Sequence, residues 1–580
     1  MNLQTFNPGR CPARRMLNHS GSGCYAIIHF GLNTFTDKEW GYGNENPSVF
    51  APEHFDAEEI AKTCRECGLD GLILVCKHHD GFCLWPTSTT NYNIRQSPFR
   101  NGKGDLVKEF SDACRKYGIS MGFYVSPWDR NHPEYGKAGY PAVYREQIRE
   151  IFSGYGPAFE AWFDGANGGD GWYGGACETR SIDRTTYYDW QTVWTMVRSL
   201  QPDAAIFSDT GPDLRWVGNE KGTADPESYG CYTPHAPETG MEPAPGFTRS
   251  EEGMQGHPDG RYYMPPECDV PLRRGWFYHP SEDGQLRSVA ELTGIYLRSV
   301  GCGGYLNLGL APMPDGLLAD GDILRLREWK KAVDALFAHP VVQCEMPLRD
   351  GAGIIEFGRP ARFNLLEMAE QIADGEKIRG YEVLLRTAGG GFRSLISGKA
   401  IGRRRLKRLP ETVEGDAIQI RLTDAAAPVA ALRVACYAAD FPEAEKECRH
   451  SPPDYLRTAH HPEGTEWHCD LGCEMPVKGF RFTPDPGLPA GTPDRYELLL
   501  SSDGRTWRSV AAGEFSNIRA NPLPCTVTFR QTEHARFCRL RATRMLIPGE
   551  TLAGVEFGIL TALPEERRSG GAPVMRETKI

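Results

Sequence analysis

The 580-residue chain is short of the features that would direct it to a membrane, a nucleic acid or an oxidising compartment. No apolar run approaches the length of a membrane span. Met1 to Ser20 holds no apolar signal core, so the chain is expected to be cytoplasmic. Basic residues are the minority, 65 against 76 acidic, and the net charge of −11 speaks against nucleic acid or anionic membranes as partners. The 18 cysteines form no framework, and several (Cys76, Cys114, Cys538) fall inside expected strands or helices, as reduced buried thiols do. Cys64-Arg65-Glu66-Cys67 lacks the second pair that a structural zinc site needs. A G-x-S-x-G elbow is missing, which removes the usual serine-hydrolase arrangement. No glycine-rich phosphate loop follows an early strand. The one basic cluster, Arg403-Arg404-Arg405-Leu406-Lys407-Arg408, is short and reads as a solvated strand edge.

What the chain does have is a series of short apolar strands with polar or aromatic endings. Tyr25-Ala26-Ile27-Ile28 runs into His29-Phe30-Gly31, and Leu72 to Cys76 runs into Lys77-His78-His79-Asp80-Gly81-Phe82. Met121 to Val125 runs into Ser126-Pro127-Trp128-Asp129, and Gly156 to Phe163 ends at Asp164-Gly165. Ala204 to Phe207 runs into Ser208-Asp209, and Tyr305 to Gly309 follows much later. Amphipathic stretches separate them: Asp56 to Cys67, with a capping Asp, then Leu106 to Tyr117, Pro141 to Phe152 and Thr186 to Leu200. Strands alternating with helices indicate a parallel sheet buried on both faces, and polar endings at strand after strand favour a (β/α)8-like barrel with one active-site rim.

The fold class expected is therefore α/β followed by all-β. Residues 1–337 form the barrel, which ends where Ala338-His339-Pro340 breaks a helix running from Leu317 to Phe337. From there the helical period disappears and short strands between turns predict a β-sandwich over 338–439. A Pro-, Glu- and His-rich linker, Asp440 to Glu463, opens a third block over 440–564, and residues 565–580 read as a flexible tail.

Asp164 is the most informative residue. A carboxylate at the tip of a core strand, beside Trp162 and Phe163, is costly unless it does chemistry. Against that stands its reading as a turn-capping Asp. His29, His78 and His79 stand at two other strand tips. They fit a metal-dependent barrel hydrolase only partly, because the HxH pair common on a first strand is reduced here to one His. Neutral imidazoles also hydrogen-bond sugar hydroxyls, and aromatic faces cover a pyranose. Trp40, Trp85, Trp128, Trp162, Trp172 and Trp276 lie in loops or at strand ends, with one or two of them expected in the core.

These residues carry a resemblance. His29-Phe30-Gly31, Glu39-Trp40, Lys77 to Phe82, Trp85-Pro86-Thr87-Ser88, Trp162 to Gly165 and Tyr305-Leu306-Asn307-Leu308-Gly309-Leu310-Ala311-Pro312 resemble glycoside hydrolase family 29, the α-L-fucosidases, over about residues 20–440. Arg215-Trp216-Val217-Gly218-Asn219-Glu220 and Arg274-Gly275-Trp276-Phe277-Tyr278-His279 resemble the subgroup that prefers α-1,3 and α-1,4 linkages. The third block, from Trp467 through Asp503-Gly504 to Phe537-Cys538-Arg539-Leu540, resembles discoidin-like modules, some of which bind carbohydrate and some of which are scaffolds.

The resemblance implies a retaining exo-α-L-fucosidase acting on fucosylated oligosaccharides, with no metal and no organic cofactor. It implies Asp164 as nucleophile and His29, Glu39, Trp40, His78 and His79 as fucose-holding residues. Tyr124 is the nearest match to a further strand-tip position, and Trp128, Trp162, Trp216 and Trp276 complete the expected binding surface. The acid/base is Glu220, in the loop after the strand ending at Ser208 and beside a drying Trp216, or alternatively Glu267. His78 or His79 is expected to hold Asp164 ionised by hydrogen bonding. Open beside this are a broad-specificity fucosidase, a non-catalytic fucose binder and a metallohydrolase. Nothing in the sequence indicates an oligomeric state.

Overall fold

A computed structural model describes residues 3–164, 171–387, 389–443, 455–457, 462–485, 489–515, 518, 522 and 524–561. Eight parallel strands close into a barrel: β1 Cys24–Ile28, β2 Gly71–Lys77, β3 Ser120–Val125, β4 Glu160–Trp162, β5 Ala205–Ser208, β6 Leu214–Trp216, β7 Pro266–Pro271 and β8 Tyr305–Leu310. Each pairs with the next in sequence, and β8 returns to β1 in the register Cys24↔Leu306 to Ile28↔Leu310. The strands are buried almost without interruption, because helices cover the outside and side chains fill the inside.

The helices start and stop where local chemistry allows. In α1 (Ala57–Glu66) the first free amides are met by Asp56, whose carboxylate accepts from Glu58 and Glu59 N. Asp105 does the same for Lys108 N in α2 (Leu106–Tyr117), which ends at Gly118 in the left-handed region, φ 65°. Further helices are α3 (Tyr140–Gly154), α4 (Trp190–Leu200), α5 (Val289–Arg298) and α6 (Asp320–Leu336).

Two barrel strands escape the apolar pattern. Leu214–Trp216 is three residues long and centres on Arg215, a fully buried guanidinium spent on the carbonyls of Gly253, Met264 and Tyr229. Pro266–Pro271 contains two prolines and two acids, a composition that argues against a strand. Its prolines stand at the first and last positions, where the ladder loses no interior donor. β5 and β6 are joined by a tight turn, with Gly211 N donating to Ser208 O.

Two antiparallel modules follow. The first orders its strands Pro340–Pro347, Ala431–Tyr437, Ala352–Ala369, Arg405–Ala425, Ile378–Arg386, Phe392–Gly398. Register shifts between Glu356 and Ala361 let this one sheet bend, so that Ile355, Phe363, Leu366, Tyr381, Val383 and Val434 share a core. The second module orders its strands Tyr455–Arg457, Glu556–Thr561, Glu466–Thr483, Cys525–Met545, Pro493–Ser501, Arg508–Glu514, with a shift between Asp470 and Met475 and a core around Trp467, Phe480, Leu498 and Phe557. The strand order is the same in both. Tyr455–Arg457 falls inside the segment read as a linker, where it pairs with Gly558 to Leu560. The expected tail, 565–580, lies outside the described residues.

The chain divides into two compact units, residues 1–273 with 287–444, and residues 274–286 with 445–580. Within the first unit the Arg403–Arg408 cluster is not a solvated edge. Arg405 is buried and donates to the carbonyls of Pro226 and Ser228, Lys407 pairs with Glu227, and the Arg403 guanidinium lies 4.1 Å from the Tyr305 ring centre. Carbonyl oxygens of a barrel loop are strong acceptors with nothing to spend on each other, and guanidinium groups satisfy them in a fixed fork. None of the described cysteines is in a disulfide, and no described helix is long and apolar enough to cross a membrane.

Arg405→Ala is expected to leave the buried Ser228 carbonyl without this donor and the Pro226 carbonyl with Lys407 alone, and to cost roughly 2 kcal/mol. Arg405→Lys should recover less than half of that, because one ammonium cannot serve both acceptors in the same geometry. Thermal midpoints of the two variants check this, and an unchanged midpoint for the alanine variant refutes it.

Candidate active site

Side chains alternate along a strand, so on β4 and the residues beyond it Glu160, Trp162 and Asp164 share the inward face. Asp164 stands at the open, carboxyl-terminal end with 32% of its side chain exposed. Tyr124, from β3, donates its hydroxyl proton to Asp164 Oδ2 at 3.0 Å. His79 Nε2 lies 3.5 Å from the same oxygen.

The hydrogen bonds around the tandem histidines determine what each presents to the pocket. Ser126 spends its single proton on the Trp128 carbonyl (2.9 Å), so its oxygen accepts from His79 Nδ1 at 2.7 Å. That leaves His79 Nε2 an acceptor. His78 is the reverse: Asn33 Nδ2, which also donates to the Glu39 carbonyl (2.9 Å), faces His78 Nδ1 at 3.4 Å, so the proton of His78 sits on Nε2. One ring offers a donor and its neighbour an acceptor, with ring centres 4.1 Å apart. Adjacent sugar hydroxyls have the matching capacity.

Burial makes this arrangement possible by keeping the rings neutral. The His78 pKa is pushed down to about 3 by burial alone. His29 and His79 are held well below their ordinary range, by burial first and then by His78. Tyr124 is pushed far upward by burial and then by Asp164, so it remains a phenol and a donor. Tyr124 thus donates to the Asp164 carboxylate, and His79, one of the two imidazoles expected to hold it, lies beside the same oxygen.

An aromatic wall stands beside these groups. The exposed Trp40 ring meets His79 and Trp128 edge-on, with centres at 5.8 and 5.6 Å, and Trp128 Nε1 donates to Tyr173 OH at 2.8 Å. His29 joins through His78 (5.7 Å), and Trp162 joins through an edge contact with Tyr124 (5.0 Å). Glu39 is buried beside Trp40. Trp85 does not belong here. It is a core residue whose indole donates to Glu150.

The other expected residues lie on β6, β7 and the loops after them. Glu220 is half-buried in the loop that leaves β6, close enough to Asp269 of β7 to raise its pKa. Trp216 does not stand free beside Glu220: its Nε1 donates to Asp269 Oδ1 at 2.7 Å. Glu267, two residues before Asp269 on the same face, is fully buried inside the barrel. Trp276 belongs to the segment 274–286 of the second unit, where Arg274 donates to Cys525 Sγ at 3.2 Å. Gly165 and Asn167 lie outside the described residues.

Ser126, Asn33 and Asp269 are parts of the site that sequence reasoning missed, and the only available signal was their place at or near strand tips. Asp209 at the tip of β5 is another. Gly246 N donates to its carboxyl (3.0 and 3.1 Å), while burial and then Asp164 push its pKa up to about 7. Among the described residues only His235, Glu252 and His257 bring three potential metal ligands within 4.8 Å of one another, and none is a strand-tip residue. Thr233 N donates to His257 Nδ1 (3.2 Å), so the Nε2 facing Glu252 carries the proton and acts as a donor, not a metal ligand.

Comparison with known proteins agrees with this pocket. The family model described as alpha-L-fucosidase matches residues 14–332, more than half of the chain. Alpha-L-fucosidase 1 of Arabidopsis thaliana is 32% identical over 443 residues, 70% of this chain and 84% of that protein. A glycoside hydrolase 29 family member from an unknown rumen bacterium aligns over 96% of this chain and 100% of its own, at 34% identity and a TM-score of 0.70. A Ruminococcus gnavus GH29 fucosidase, solved in complex with fucose, aligns over 74% of this chain and 95% of its own, at 25% identity and a TM-score of 0.63. Tandem neutral histidines, a strand-tip carboxylate and these relatives lead to one conclusion: the chain belongs to glycoside hydrolase family 29 and is an α-L-fucosidase.

Proposed function

We propose that this fucosidase is a retaining exo-enzyme that removes terminal α-1,3- and α-1,4-linked fucose from branched oligosaccharides, with Asp164 as nucleophile and Glu220 as acid/base. The observation that carries the reading is the Asp164 carboxylate at the mouth of the barrel, held by the Tyr124 hydroxyl at 3.0 Å and flanked by imidazoles that burial keeps neutral. The relative solved with fucose supports fucose as the sugar bound, and the family resemblance seats it among His29, Glu39, Trp40, His78 and His79, with Trp128 in the aromatic wall beside them.

The chemistry follows from retention. Asp164 attacks the anomeric carbon while a second carboxyl, about 5 Å away, gives its proton to the departing oxygen. The same group then takes a proton from the water that hydrolyses the glycosyl ester. Glu220 suits this second role because it is half-buried in a loop at the open end. Glu267 suits it poorly: its Oε1 accepts from Trp162 Nε1 and Asn307 Nδ2, both at 2.8 Å, inside the barrel. Asp269, which holds Trp216 and interacts with Glu220, supports the loop from below.

The linkage preference rests on Arg215 to Glu220 and Arg274 to His279, the segments that resemble the α-1,3/α-1,4 subgroup. Subsites for the leaving sugars direct binding energy into the transition state, so turnover should depend on the aglycone. The C-terminal module is read as discoidin-like.

Three outcomes test this reading. Asp164→Asn should lower kcat by roughly 10^3-fold or more with the fold intact, and a 2-fluoro-fucosyl donor should label Asp164, as peptide mapping would report. A label on another carboxylate refutes the assignment.

Glu220→Gln should slow oligosaccharide cleavage far more than cleavage of an aryl fucoside with a good leaving group, and azide should restore the latter as the retained glycosyl azide. Equal losses on both substrates count against Glu220.

An α-1,3/α-1,4-fucosylated trisaccharide should show a kcat/KM at least about tenfold above that of an α-1,2-linked one. Equal values indicate a broad-specificity fucosidase.

A further inference from the structure

Beneath the pocket, inside the barrel, two carboxyl groups meet. Glu160, the first residue of β4, and Glu267 of β7 are both fully buried and lie within hydrogen-bonding reach of each other. Glu267 Oε2 and both oxygens of Glu160 find no N–H or O–H donor of conventional geometry, while Glu267 Oε1 accepts from Trp162 Nε1 and Asn307 Nδ2. Two carboxylates cannot hydrogen-bond without a proton between them, and two buried anions in contact repel strongly. His19 Nε2 lies 3.1 Å from Glu160 Oε2 but is no counter-charge, because burial pushes its pKa down to about 4. Tyr25 also reaches this cluster, with Tyr305 beside it, and neither is a cation.

Trp162 couples these groups to the reaction centre. Its indole is fixed at the nitrogen by Glu267, stacked on Phe207 (4.5 Å between centres, 14° between planes) and set edge-on to Tyr124, whose hydroxyl holds Asp164.

We propose that Glu160 and Glu267 form a proton-sharing carboxyl pair and that Glu267 is a positioning residue, which fixes the Trp162 ring under Tyr124 and Asp164 and takes no part in proton donation to the leaving group. This rests on the reading of Asp164 as nucleophile. A neutral carboxylic acid suits the task, because it accepts from the indole with one oxygen and donates to Glu160 with the other, and the pair then carries one charge in place of two.

The pair has a signature in stability. Burial raises the Glu160 pKa from 4.5 to about 8 and moves Glu267 further in the same direction. Between pH 4.5 and 8 the unfolded chain releases protons that the folded chain keeps. Stability attributable to the pair is thus complete below pH 4.5 and is lost as pH rises toward 8. Asp213 acts on Glu160 in the same raising sense, and Glu267 in turn raises Asp269.

The experiment compares the full-length protein with Glu267→Gln and Glu267→Leu. Glutamine keeps an acceptor for the indole and supplies a donor to Glu160 without a titrating group. The gain in thermal midpoint of Glu267→Gln over the parent should therefore grow by several degrees between pH 5 and pH 8. Its kcat should fall by less than about tenfold, equally on oligosaccharide and aryl fucoside, with KM held. Glu267→Leu should lose kcat by a further order of magnitude or more. In 5-fluorotryptophan-labelled protein, the fluorine resonance that disappears in Trp162→Phe should shift strongly in the leucine variant and little in the glutamine variant. Parallel pH profiles for parent and Glu267→Gln overturn the shared proton. A selective loss on oligosaccharide, rescued by azide, makes Glu267 the acid/base and overturns the positioning role. Midpoints and resonances are read without turnover, so they remain decisive even if labelling moves the nucleophile away from Asp164.

Discussion

Closure of the barrel between its first and last strands is the constraint on which the site depends. The β1–β8 ladder, Cys24↔Leu306 to Ile28↔Leu310, joins the two ends of the domain and makes all eight strands point the same way. Because the strands are parallel and in sequential order, each carboxyl end arrives at the same rim. His29, His78, Tyr124 and Asp164 come from four different strand ends and meet only because of that closure.

Inside that frame, burial decides the chemistry of the polar groups. The three histidines lose their positive charge to desolvation, and the hydrogen bonds of Ser126 and Asn33 then give His78 and His79 opposite tautomers. Asp164 keeps partial exposure and a phenol donor. The same desolvation that silences the imidazoles drives a proton onto the Glu160–Glu267 pair. The imidazoles thus lose their charge and the carboxyl pair loses one of its two.

The β-modules use one strand order twice, each bending a single sheet at register shifts to enclose its core. The first is joined to the barrel loops in part by a basic cluster that satisfies carbonyl oxygens. Charge on a strand edge thus has two possible uses, solvation or the capping of buried acceptors, and composition does not distinguish them.

The apolar strands, their polar endings, the capped helices and the change of periodicity near residue 338 follow from local patterning, so the fold class, six of the barrel strands and the strand-tip cluster were legible in the residues themselves. The KHHDGF block and the WFDG turn also carried the family. Leu214–Trp216 and Pro266–Pro271 were not legible, because a buried Arg and two terminal prolines make sense only once neighbouring strands supply carbonyls and spare the ladder. The same holds for which group holds Asp164, which histidine donates and whether Glu267 faces the pocket or the core. Those are properties of distance and burial between residues far apart in the chain. Sequence patterning reports what each residue can do in water, whereas protonation and hydrogen-bond direction are set by the tertiary neighbours that replace the water.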